Sequence, residues 1–153
     1  VTEDHETLLN VRSHVGNCAL HWHKLAVEVS GLVVGGAVAL AGFAVTRDNM
    51  GLTTSLSLGF IAAAAGIAGY VLIKHIEKEF YMHTGILQKV DDLNGLFDPN
   101  RFGLTNGNIL YPEPWKTSGS VTYKEPLLTY AKRAVLLGPI TMGALVAIVS
   151  ILR

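Results

Sequence analysis

The chain has 153 residues, half of them hydrophobic and only 16% charged, and its twelve basic and twelve acidic side chains cancel. A zero balance gives no basis for nucleic-acid binding, and the single Cys18 excludes an internal disulfide and a Cys-rich zinc pattern. One small domain or one membrane module fits this length.

The amino-terminal VTEDHETLLN is acidic where a signal peptide would be basic, so the apolar run that follows is expected to be retained. From Thr7 onward Leu8, Val11, Val15, Cys18, Trp22, Leu25 and Val29 recur at alternating spacings of three and four. That is a heptad seam, and with no proline before Pro99 it predicts one helix from about Thr7 to Thr46, with Gly16 as its weak point.

Two 22-residue apolar segments follow, Leu25 to Thr46 and Leu52 to Ile73, separated by the polar turn RDNMG. At about 1.5 Å per residue each covers about 33 Å, the thickness of a bilayer's hydrocarbon core. Within lipid every backbone N–H and C=O needs an internal partner, which helices supply, so the pair reads as a transmembrane helical hairpin. After the second span a matching seam appears at Ile76, Phe80, His83, Leu87, Val90, Asn94 and Phe97. Polar residues between these positions, Asp91 and Asp92 among them, are expected on a solvated outer face. Asn94-Gly95 and Asp98-Pro99 should stop this helix, through a left-handed glycine cap and a proline that cannot continue it.

From Phe97 to Pro126 the chain holds four of its five prolines and reads as a loop. Asn106-Gly107 would suit a two-residue hairpin turn. Tyr111, Trp115, Tyr123 and Tyr130 would alternatively hold the segment at headgroup level. The third uncharged run, Ala134 to Leu152, is 19 residues long. The expected fold is therefore all-α: residues 1–97 as a hairpin with spans 25–46 and 52–73 and a cytoplasmic antiparallel stalk, 98–131 as a cytoplasmic loop, and 132–153 as a third transmembrane helix. Lys24, Lys74, Lys78, Lys132 and Arg133 lie on the stalk side of the spans, against Arg47 and Arg153 on the other. Basic residues stay on the cytoplasmic face, so the amino terminus is expected inside and the carboxyl terminus outside, in a bacterial inner membrane or its organelle equivalent.

Small residues recur on the spans: Gly31, Gly35 and Ala39 on the first, Gly59, Ala63, Gly66 and Gly69 on the second, Gly143 on the third. They let helix backbones approach closely, and packing drives association in lipid. More faces of this kind are present than one hairpin needs, which points to a homo-oligomer or to a subunit among other membrane chains. Glu28 lies about one turn inside the first span, where a carboxylate is a candidate for an ion path. Lys24, four residues earlier, offers the simpler account of an i,i+4 pair.

No nucleotide-cradling, nucleophile-elbow or HExxH motif occurs, so no reaction is indicated. With the turn centred near Asn49 and Met50, position i on the first helix should face roughly position 99 minus i on the second. That places His83 beside Gly16, between His14 and Cys18, with Glu79 nearby, a donor set that could hold zinc, copper or haem iron. The alternatives are histidines that present a ring to the seam and a nitrogen to water, or a pH-sensitive stalk. No cofactor is expected from any other feature.

An amphipathic helix, a tight two-span hairpin and a second charged helix ending in KVDDLNGLF resemble the small bacterial two-span effector modules of the SLATT type, over roughly Thr7 to Phe97. The span after Arg133 departs from that plan. The resemblance implies a non-enzymatic membrane effector or gated pore. The alternatives to it are an accessory subunit of a respiratory, photosynthetic or transport complex and, third, a histidine-ligated haem or metal protein.

Overall fold

A computed structural model describes residues 3–47, 51–100 and 124–152, with side chains from Glu6 onward. Three helices account for nearly all of them: α1, Glu3–Thr46; α2, Leu52–Leu93; and α3, Pro126–Leu152. No strand occurs among the described residues. All three helices are long and apolar enough to cross a membrane, with peak window hydropathies of 2.0, 2.1 and 2.4. This is compatible with an integral, multi-pass membrane protein.

The helix ends follow local chemistry. The Gly51 carbonyl accepts the first bonds of α2, from Thr54 N–H at 3.0 Å and Ser55 N–H at 3.2 Å. At the other end Gly95 has φ 70°, its N–H donates to the Asp92 carbonyl at 2.8 Å, and Leu96 N–H donates to the Asp91 carbonyl at 3.0 Å. These two bonds are a Schellman cap, which needs a left-handed residue where glycine sits, as the Asn94-Gly95 pair led us to expect. α3 opens at Pro126, a position where the missing N–H costs nothing. It therefore begins ahead of Lys132, and the last part of the expected 98–131 loop is helical. The readings of Asn106-Gly107, Tyr111, Trp115 and Tyr123 lie outside the described residues, whereas Tyr130 lies exposed on α3.

The chain divides into two compact units. The apolar unit comprises Leu25–Ile76 and Pro126–Arg153. In it the three helices touch pairwise, Val33 of α1 meeting Gly69 of α2, Val34 of α1 meeting Gly138 of α3, and Gly59 of α2 meeting Gly143 of α3. Ala41, Ala44 and Val146 form a buried cluster covered by Leu58 and Met142. Only 17–22% of each span's most apolar window is buried within the chain, and bulky side chains such as Leu32 and Phe60, each 76% exposed, face outward. Such a surface would associate in water and is at home in lipid. The Ser30 and Ser150 hydroxyls bond back to the carbonyls four residues earlier, those of Ala26 and Val146, at 2.7 Å, so these two bring no unpaired donor into an apolar surrounding.

The polar unit comprises Val1–Lys24 and Glu77–Glu125. Its described parts of α1 and α2 run antiparallel, with Arg12 paired to Asp91 and His23 stacked near Phe80. Val15, Ala19, Thr84, Val90, Asp91 and Phe97 are buried there.

Candidate functional site

In the apolar unit the small residues divide into two groups. On α2 and α3 they are packed inside the chain. A Cβ on Gly143 would lie 2.8 Å from the Gly59 carbonyl oxygen, and one on Gly59 would lie 3.1 Å from that of Gly143. Gly66 lies against Pro139 and the Val135 carbonyl, where a Cβ would meet atoms at 2.9 and 3.0 Å. Pro139 has no N–H to give the carbonyl four residues before it, which is Val135, and that freed carbonyl is the one lying over Gly66. A Cβ on Gly69 would collide with Val135 and Val33 at 2.6 and 2.9 Å. Ala63 beside them is half-buried.

The small residues of α1 are placed differently. Gly31, Gly35, Gly36 and Gly42 have nothing within 4 Å of an added Cβ, and Gly31, Gly35, Ala39 and Gly42 are all exposed. At 100° per residue these four fall on one face, opposite the buried Ala37, Ala41 and Ala44. Glu28, also exposed, lies at the end of that face. At the ends of the apolar segments Arg47 lies over the Phe43 ring at 5.1 Å and Lys74 over Tyr70 at 5.8 Å, pairs that suit a wet boundary.

The polar unit is built around a charge pair that the sequence pattern did not reveal. Arg12 Nε donates to Asp91 Oδ1 at 2.6 Å, with the Asp91 side chain 0% exposed and that of Arg12 34% exposed. Asp91 Oδ2 is buried with no hydrogen-bond partner among the described residues. Asp91 was expected on the solvated face. Instead it closes the helix pair, in the last turn of α2, where the helix dipole is unfavourable to an anion and a cation is needed. Further along, Trp22 lies 6.5 Å from His83 and His23 5.7 Å from Phe80, ring centre to ring centre. Glu125 N–H donates to Tyr81 Oη at 2.7 Å, and the Glu125 carboxylate lies 3.8 Å from His23 Nε2. None of these last contacts had a local signal in the sequence.

The proposed donor set is not gathered. Arg12 pairs with Asp91 where the pairing rule gives Leu87, and Trp22 meets His83 where it gives Glu77. His83 thus lies at the level of Trp22 instead of Gly16, with its Nδ1 2.7 Å from the Glu79 backbone carbonyl. His14 and Cys18 stay together, Nε2 to Sγ 3.8 Å, through their i,i+4 spacing alone. Among the described residues no three His, Cys, Asp or Glu side chains are grouped to hold a metal ion. Comparison with protein-family models, with curated proteins and with solved structures finds no match.

Proposed function

We propose that this chain is a non-enzymatic multi-pass membrane protein that assembles with further copies of itself through the open face of α1, acting as a membrane effector or gated pore. The observation that carries this reading is the contrast within one unit. Gly59, Gly66, Gly69 and Gly143 lie against the chain's own atoms, whereas at Gly31, Gly35 and Gly42 no atom of the described residues comes within 4 Å of an added Cβ. A helix face that meets only lipid gains from bulky aliphatics, as at Leu32 and Phe60. A face of glycine and alanine gains only when another helix backbone comes close. The basic-residue bias favours a cytoplasmic polar unit, and the SLATT-type outline supports an effector role in place of catalysis.

The test is the mass of the purified particle. Gly35→Leu should reduce an assembly to a smaller species without lowering the monomer's helicity or melting, because among the described residues nothing lies within 4 Å of a Cβ at Gly35. A particle unchanged by Gly35→Leu and by Gly31→Leu would remove this face from the assembly. A wild-type chain that is monomeric alone, yet copurifies with other membrane proteins at native expression, would instead make it an accessory subunit.

A further inference from the structure

In the polar unit the structure and the hydrophobic pattern disagree about which side of α1 faces α2. The apolar seam of this segment is Leu8, Val11, Val15, Cys18 and Trp22. The face in use is Arg12, Val15, Ala19 and Trp22, with Val15 and Ala19 buried and Val11 left 39% exposed. Val15 and Trp22 belong to both. Exchanging Val11 and Cys18 for Arg12 and Ala19 moves the centre of the face by about 40° about the helix axis, less than half of one residue's 100°. In its present phase the pair leaves apolar surface outside and buries a carboxylate with one oxygen unpaired. Both are unfavourable, and both would be relieved by the rotation, which brings Val11 and Cys18 towards the half-buried Leu87 and buried Val90 and frees Asp91 to reach water.

We infer that this helix pair is a two-position device, in which the Arg12–Asp91 ion pair selects the phase seen here over an apolar phase built on Val11 and Cys18. A buried ion pair is weak as a source of stability and best attested as a means of fixing register, which is the role assigned to it. Its loss then rotates α1 in place of merely loosening it.

Cysteine reactivity in the full chain in detergent micelles reads the phase directly, because Cys18 is the chain's only cysteine. In the wild type N-ethylmaleimide should modify half-buried Cys18 at least tenfold faster than the buried thiol introduced by Ala19→Cys in a Cys18→Ser background. Arg12→Leu with Asp91→Leu removes the pair and keeps apolar volume. In that background the order should reverse, Cys18 slowing tenfold or more and the thiol at position 19 accelerating. Unchanged rates in a variant that melts as the wild type does would overturn the inference. If the double variant unfolds, both thiols react fast. Asp91→Asn, which keeps the shape of the side chain, then decides: it must move the two rates in opposite directions by at least threefold, and a parallel change or none refutes the switch.

Discussion

Replacing Gly143 by alanine should loosen the contact between α2 and α3, and the size of the effect follows from the geometry. The new methyl carbon would lie 2.8 Å from the Gly59 carbonyl oxygen and 3.4 Å from its carbon. Both neighbours are backbone, so no side chain can swing aside and the helices themselves must part. Overpacking of this kind costs about 1–3 kcal/mol. Alanine's better helix propensity returns about 0.8–1.0 kcal/mol. The net loss is about 0–2 kcal/mol, at most roughly a 30-fold fall in the folded-to-unfolded ratio, and about 1–3 kcal/mol against a variant that takes the propensity gain alone. Gly36→Ala is the control, since nothing lies within 4 Å of a Cβ there and the propensity gain should stand alone. Unfolding in mixed micelles by increasing sodium dodecyl sulfate, followed by circular dichroism, measures both. If Gly143→Ala proves as stable as Gly36→Ala, the close backbone approach of α2 and α3 is wrong.

Arg12→Ala should be the costlier half of the ion pair to remove, because it leaves the Asp91 carboxylate without its counter-charge, and rotation of α1 should hold the loss below the about 3–5 kcal/mol of a carboxylate that stays buried. Asp91→Ala should cost clearly less, since the partly exposed Arg12 can turn to water; equal losses in a denaturation series would contradict this. Gly95→Ala places a Cβ at φ 70° and should cost about 1–2 kcal/mol, with Gly95→Asn milder; an unchanged melting temperature for the alanine variant would argue against the left-handed cap. For orientation, in a Cys18→Ser background, the thiol from Gly51→Cys should react with an impermeant reagent outside intact cells and that from Lys124→Cys should not. The reverse labelling would invert the topology.

What was legible in the sequence is what depends on neighbours along the chain. Hydropathy summed over about 20 residues marks a span whatever the span touches, and all three appear as helices. Asn94-Gly95 marked the end of α2 because a Schellman cap is a local motif in which both hydrogen bonds join residues three to five apart. Gly59, Gly66, Gly69 and Gly143 stand out in the sequence only as small residues in apolar runs. The sequence could not say that their partners are Val33, Val135, Pro139 and one another, nor that Gly31 and Gly35 are left open.

The phase of α1 is not legible in its apolar pattern, for a physical reason. A seam drawn through apolar positions treats Arg12 and Asp91 as surface and Ala19 as neutral, but a charge can enter a helix pair when its counter-charge arrives from 79 residues away, and alanine is what lets the backbones close up. Register is not legible there for another. Helical side chains lean toward their own amino terminus, so in an antiparallel pair the two leans point in opposite directions and a contact joins residues displaced from those at equal height. At about one position per helix this explains about two of the four to six positions by which Arg12–Asp91 and Trp22–His83 depart from the simple rule. Long side chains at these contacts lean further than short ones, whereas in the apolar unit, where one partner is a glycine, Val33 meets Gly69, only three positions from the Gly66 that the same rule would give. Any attempt to assemble a ligand set from residues on α1 and α2 must carry this displacement, and it is the displacement that moves His83 away from His14 and Cys18.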